Sequence, residues 1–490
     1  LDERDRLVTR GIDVRLTALE LVGTGLITVM ATLYTGDALI GASVVVLWLI
    51  WKLTMTDDGL FVVPLALTFQ WMQSTLGLFY LDFFGRSVDA IDRSDYRPMV
   101  MIGLGCCLAL AIGVFLGTRL LKPPSLLSHR PEFAFSFKLV LVAYVVTIIL
   151  EGGLNTVVHD FPSLRQIAVN FDQGRLAILY LLLRRFYSPV PRWGLIAAVV
   201  GFEVTLGITG FFAGFREPLV LAGLGMLEVF DRRNAQHWVA AALVGTAAVG
   251  FGLVWMGIRT EYRRDYVQMD NFRTDRRARI SRIGDLASGF LQSDASGLLT
   301  TVDNLVDRMW PVYYPALAVS RVPGTLPHTN GAILASALQH ITMPRIFFPE
   351  KAGLMSDSEM VRKYSGVMVA GAETGTSIAF GYAGESYIDY GLPWMFLPVF
   401  AFGLLMGLAY RFVAKTIRHR ELLVAYSTVT FWFALYLFER SWVMTLGETV
   451  GLLVYVGAPV ILLDRLLLDR HHRQSGDQSL LFPQSDGVSF

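Results

Sequence analysis

The stretch PMVMIGLGCCLALAIGVFLGT, residues 98–118, runs without one charged side chain. A helix needs roughly 20 apolar residues to cross a bilayer, so this stretch alone is enough for one crossing. The composition extends the reading to the whole chain. Of 490 residues 53% are hydrophobic and 17% charged, and the mean hydropathy of +0.49 lies outside the range of ordinary soluble domains. About twelve stretches approach spanning length: 16–36, 37–53, 59–81, 98–118, 133–151, 165–183, 193–214, 217–229, 237–258, 392–412, 422–438 and 445–463. The expected fold is all-α and polytopic.

Lys and Arg in short loops collect on the cytoplasmic side, which tests the count. Twelve spans with a cytoplasmic start put Arg119, Lys122, Arg130, Arg184, Arg185, Arg192, Arg232, Arg233, Arg411, Lys415, Arg418 and Arg420 inside. The short outer loops keep roughly five cations, among them Arg86, Arg93, Arg97, Arg216 and Arg440. Both ends then lie inside. The segment 165–183 carries Arg165, Asp172 and Arg175, and 37–53 and 217–229 are short; losing any of these reverses everything downstream. The charged start before a full span, without a small-residue cleavage site, reads as a signal anchor.

A formal net charge of +1 leaves no basic face for a nucleic acid. Cys106 and Cys107 are adjacent within an apolar span, a spacing that fits neither a disulfide framework nor a zinc site. P-loop, HExxH, GxSxG and Rossmann patterns are absent. The nearest metal candidate, Asp357 with Glu359, is acid-x-acid and reads more simply as a solvated turn. His328 and His340 are surface histidines on the simplest reading, and either has the chemistry of a base. No metal and no cofactor are expected.

The organisation follows: residues 1–258 with nine spans, a long outer loop over 259–391, three spans over 392–463, and a cytoplasmic tail over 464–490 read as disordered. The loop opens with arginines and acids at helical spacing, as in Asp275 with Arg279. Leu298, Val302, Leu305, Val306 and Met309 then keep the rhythm of an amphipathic helix that Pro311 breaks. Residues 320–376, rich in Pro, Gly, Ser and Thr, read as loops with short helices. A loop of this length is unusual unless it has a function. No internal repeat is evident, which weighs against an inverted-repeat transporter.

Arg216, Arg259, Arg308, Arg321, Arg345 and Lys351 fall near the outer boundary. A single arginine there can simply snorkel to headgroups. Several together suit a diphosphate, which is held best by more than one guanidinium fork. At the end of the loop stands GYAGESYIDYGLPW, residues 381–394. Gly391 is placed to end a short helix and Pro393 to open the next, so Glu385 and Asp389 share one helix face, with Trp394 at interface depth. A partly dehydrated carboxylate would suit a general base for a sugar hydroxyl. A structural carboxylate paired with a loop arginine is the alternative.

Arg308 in LVDRMW, the run MPRIFFPEK with Pro344, Arg345, Pro349 and Lys351, the run GESYIDYG, and the small-residue span FGLLMGLAYR together resemble the bacterial O-antigen-type repeat-unit polymerases, the Wzy-type family. The likeness covers roughly residues 300–411. It implies a bacterial inner-membrane glycosyltransferase working on the extracytoplasmic face. Its donor and acceptor would be polyprenyl-pyrophosphate-linked oligosaccharides, its product a surface polysaccharide, and its possible partner a chain-length regulator. On this reading Glu385 and Arg345 are catalytic, while Arg216, Arg308, Lys351, Tyr387 and Asp389 bind substrate. Arginines can steady the departing diphosphate without a metal. A ligase moving finished polymer is the nearest alternative. A transporter of lipid-linked sugar is another, with Glu20, Glu203 and Glu448 as charges within the membrane.

Overall fold

The computed structural model describes residues 18–55, 61–84, 96–121, 135–160, 165–187, 191–209, 214–231, 233–268, 275–343, 348, 350, 353–371 and 376–467. These residues form eighteen α-helices and no strand. The first nine are α1 (Ala18–Thr35), α2 (Ala38–Thr54), α3 (Val62–Phe84), α4 (Tyr96–Leu120), α5 (Phe137–Asp160), α6 (Arg165–Tyr187), α7 (Trp193–Ile208), α8 (Arg216–Val229) and α9 (Ala235–Gln268). The long loop then carries α10 (Arg276–Leu291), α11 (Ala295–Met309), α12 (Tyr313–Arg321), α13 (Ala332–Thr342), α14 (Asp357–Ser365) and α15 (Gly381–Tyr390). The chain closes with α16 (Phe396–Thr416), α17 (Arg420–Leu435) and α18 (Trp442–Gly451), which runs into a π-helical turn at Leu452–Val456.

Six helices are long and apolar enough to cross a membrane: Ala18–Thr35, Tyr96–Leu120, Phe137–Leu154, Ala235–Tyr266, Phe396–Thr416 and Trp442–Leu467. Each of the twelve segments singled out by hydropathy coincides with a helix, but the other six are shorter or less apolar. α6 is the clearest case, because Asp172 and Arg175 interrupt its apolar run. The tail from 468 onward lies outside the described residues.

The layers sort by what surrounds them. On α17 every residue from Leu422 to Leu435 is buried, whereas α1 buries none. α1, α5 and α9 turn Leu19, Leu33, Leu139, Ile149, Val239 and Leu243 outward. An outer layer this apolar is stable against lipid tails and costly against water.

α4 and α16 pack so closely that their backbones touch. A Cβ at Gly113 or Gly117 would strike the backbone of Phe400–Leu404 or Leu404–Leu408, and one at Gly403 or Gly407 would strike Leu110 or Val114–Thr118. This small-xxx-small pairing lets membrane helices gain dispersion contact where no hydrophobic drive between them exists. Arg411, the arginine closing FGLLMGLAYR, donates from Nε to the Thr118 carbonyl at 2.7 Å and caps the end of α4.

The described residues of the long loop are mostly helical. α9 continues past 259 to Gln268, so the spanning helix projects beyond the expected loop boundary. Asp275 caps α10 by accepting from the amides of Arg277 and Ala278, and Arg282 pairs with Asp265 at 2.7 Å to dock α10 on α9. α11 begins at its cap Asp294 and ends at Met309, just before Pro311. Its last turn is fixed by the buried Trp310, whose Nε1 donates to the Ser74 carbonyl at 3.0 Å. Asp357 and Glu359 open α14, where Ser356 and Glu359 form a capping box. Among the described residues no three histidine, cysteine or carboxylate side chains are grouped so that they could hold a metal ion.

Candidate functional site

Two carboxylates on α15 hold two other helices by their N-termini. Glu385 accepts the amide of Trp442, the first residue of α18, at 2.8 Å. Asp389 accepts the amides of Ile333 and Leu334 at 3.0 and 2.9 Å, and the hydroxyl of Thr329. Those amides open α13, which packs on α18. The first amides of a helix lack intrahelical acceptors and carry the positive end of its dipole, so a carboxylate is their natural partner. The spacing of four residues that aligns Glu385 and Asp389 thereby ties α13 and α18 to one short helix. α15 is longer than the expected turn and a half, and Gly391 ends it as the sequence indicated.

Both side chains are buried, Glu385 to 2% exposure and Asp389 to 0%. The charged neighbours of Glu385 are Asp357 and Asp389, and burial followed by these two repulsions pushes its carboxyl up to about 8. Burial also raises Asp357, whose Oδ2 accepts from Ser377. The partners of Asp389 are amides and a hydroxyl rather than the arginine expected for a structural carboxylate. Tyr387 donates to the Val322 carbonyl at 3.0 Å and packs its ring edge-on to His328. Gly381, with φ of +80°, starts α15 against the Phe438 carbonyl, a place where a side chain would collide with the turn before α18.

That turn, Phe438–Ser441, carries the charged centre. Arg308 of α11 makes two bonds to Glu439, Nη2 to Oε1 at 2.8 Å and Nη1 to Oε2 at 2.5 Å. Arg259 and Arg263, one turn apart on α9, both lie within electrostatic range of Arg308. Arg216, at the start of α8, lies within electrostatic range of Glu439 and Tyr436. About half of its side chain, 51%, is open to solvent. Glu439 therefore binds Arg308 directly and lies within electrostatic range of Arg216.

Beside Arg216, Tyr436 lies within electrostatic range of Arg440, Glu217 and Glu448. Its ring stacks on Trp432 at 5.0 Å, and the Arg440 guanidinium lies 5.1 Å from its centroid. Glu448 pairs with Arg440 and accepts from Gln173 Nε2 at 2.5 Å. Glu217 stands 3.6 Å from Arg216. Two buried atoms here, Glu217 Oε2 and Gln173 Oε1, have no hydrogen-bond partner among the described residues.

Of the residues singled out from the sequence, Arg308 binds Glu439, Arg216 lies within electrostatic range of the same carboxylate, and Glu385, Tyr387 and Asp389 lie together on α15. Arg345 and Lys351 lie outside the described residues. Sequence reading missed Arg263, Glu439 and Gln173 as members, and held Arg440 only as an outer-loop cation. The pair Glu439-Arg440 in a short outer turn was the available signal. The three acids within apolar segments each have a cation: Glu20 with Lys52 at 2.7 Å, Glu203 with Arg175 at 2.6 Å, and Glu448 with Arg440. An apolar hollow of about 320 Å³ lined by Tyr390, Trp394, Leu397, Pro398 and Ala401 contains none of these charges.

A family model described as a domain of unknown function (DUF8712) matches residues 108–416, and the chain belongs to that family. The match begins within α4 and ends with α16, the two helices joined through glycines. No curated protein and no solved structure matches the chain.

Proposed function

We propose that this member of the family is a glycosyltransferase of the bacterial inner membrane that joins polyprenyl-diphosphate-linked oligosaccharide repeat units into a polysaccharide. On this reading the chain crosses twelve times with both ends in the cytoplasm, and the loop helices α10–α15 stand on the outer face. There nucleotide sugars are absent, and a lipid diphosphate serves as the activated leaving group.

The two-pronged Arg308–Glu439 pair, with Arg259 and Arg263 within electrostatic range of Arg308 and Arg216 within range of Glu439, carries the proposal. Like charges gathered at a membrane boundary are costly unless an anion joins them. A diphosphate gains charge on the oxygen that leaves in transfer, and guanidinium groups already in place stabilise that charge without reorganising. The resemblance of LVDRMW, GESYIDYG and FGLLMGLAYR to the repeat-unit polymerases supports the same chemistry.

The roles then divide. Arg259, Arg263, Arg308 and Arg216 bind the donor diphosphate, and Arg345 and Lys351 are assigned to the same anion. Glu385 and Asp389 fix α18 and α13, and through α18 the turn that carries Glu439. Tyr387 and His328 line the loop beside them.

Purified protein given lipid-linked repeat units alone tests the proposal. A polymerase makes a ladder of products; a ligase makes none until its separate acceptor is added. Movement of the lipid-linked sugar across a vesicle membrane with unchanged glycan length would instead establish a transporter, the reading favoured by the ion pairs of Glu203 and Glu448.

A further inference from the structure

Resting on that reading, we infer that Glu217 takes the proton from the acceptor sugar hydroxyl, and that the sugar binds beside Glu217 and Gln173, near Arg216, Arg440, Glu448 and Tyr436. Glycosyl transfer needs a carboxylate with an uncommitted lone pair beside the diphosphate site. The carboxylates near that site are otherwise occupied. Glu439 gives both oxygens to Arg308, and Glu448 gives one to Gln173 and one to Arg440. Glu385 and Asp389 hold helix amides.

Glu217 differs. One oxygen stands 3.6 Å from Arg216, beyond hydrogen-bond length, and the other is buried without a partner among the described residues. An unsatisfied buried acceptor needs an explanation, and a ligand hydroxyl supplies one. Gln173 is a second, independent sign. It is 5% exposed, spends its amide nitrogen on Glu448, and leaves its oxygen without a donor. Two carboxylates, two guanidiniums and a primary amide beside an aromatic ring are the chemistry that recognises a polyhydroxylated ring.

In the step, the acceptor O–H proton passes to the Glu217 carboxylate as the oxygen bonds to the anomeric carbon of the donor. The bond from that carbon to the phosphate oxygen breaks with its electron pair. The diphosphate departs onto Arg259, Arg263 and Arg308, and Glu217 returns its proton to water.

The test uses the full chain in detergent or nanodiscs, with lipid-diphosphate-linked repeat unit as substrate and inorganic pyrophosphate as a separate binding probe. Glu217→Gln is expected to lower kcat by about 10²–10⁴-fold while pyrophosphate affinity stays within about twofold of wild type. Glu217→Asp should recover part of the rate, and Gln173→Leu should raise KM more than it lowers kcat. A Glu217→Gln enzyme turning over within about threefold of wild type overturns the inference and leaves the polymerase reading intact. Should Glu217→Gln fail to fold, Glu217→Asp decides, and a rate in that variant equal to wild type, with no change in Gln173→Leu, overturns it. Failure of wild-type protein to elongate the substrate removes the polymerase reading and this inference together.

Discussion

Arg308 and Glu439 meet in a two-pronged pair, with Nη2 to Oε1 at 2.8 Å, that joins the last turn of α11 to the turn before α18. Glu439 also lies within electrostatic range of Arg216, while Arg259 and Arg263 on α9 lie within range of Arg308. An incoming anion competes with Glu439 for the same guanidinium forks.

Glu439→Gln should therefore tighten binding of inorganic pyrophosphate, by about tenfold for ~1.4 kcal/mol of lost competition. Arg308→Ala should weaken it by a similar factor, and both affinities should fall with added salt. Calorimetric titration at two salt concentrations checks the directions; a Glu439→Gln protein that binds pyrophosphate more weakly would remove the competition.

Glu385 makes stability depend on pH in a defined sense. Burial raises its carboxyl from the ordinary 4.5 to about 8, so between these values the folded chain holds a proton that the unfolded chain releases. Stability from this group is complete below about pH 4.5, declines as pH rises toward 8, and is gone above it. Glu385→Gln keeps an oxygen for the Trp442 amide and has no charge to bury. Thermal unfolding across pH 5–9 should show the decline in wild type and its absence in the variant; parallel profiles would place the pH dependence elsewhere.

Asp389→Ala leaves the amides of Ile333 and Leu334 and the Thr329 hydroxyl without their acceptor. The expected loss is about 1–3 kcal/mol, with pyrophosphate affinity unchanged because the arginine cluster lies at the other end of α15. Asp389→Asn retains one acceptor oxygen and should lose less. Melting temperature and pyrophosphate titration, measured on the same preparations, separate an anchor from a ligand-binding carboxylate.

Gly407→Leu should separate α4 from α16, since even a Cβ there meets the Val114 carbonyl. The cost of forcing bulk into such a contact is at least about 1–3 kcal/mol. Gly201→Ala on α7, where a Cβ meets nothing within 4 Å, should be neutral or mildly stabilising. Detergent-solubilised melting curves compare the two.

Much of the helix layout was legible because apolar length is written locally. Segments such as 98–118 and 392–412 announce themselves, and Gly391 and Pro311 end helices for backbone reasons contained in the residues themselves. The amphipathic rhythm of Leu298, Val302 and Val306 likewise gave α11. Less was visible where charge and environment compete. Arg175 sits inside a helix whose sequence alone looks too polar to cross, and its pairing with Glu203 comes from a different helix.

Sequence by itself determined that this chain is helical, rich in apolar segments, and provided with a long loop carrying arginines and two aligned carboxylates. Tertiary structure alone decided what those charges meet. Glu385 and Asp389 turned toward helix amides because burial leaves a carboxylate only the strongest available donors. Arg308 met Glu439 because the last turn of α11 lies beside the turn before α18. Such partnerships join residues more than a hundred positions apart, as Arg308 and Glu439 are, and no local periodicity records them.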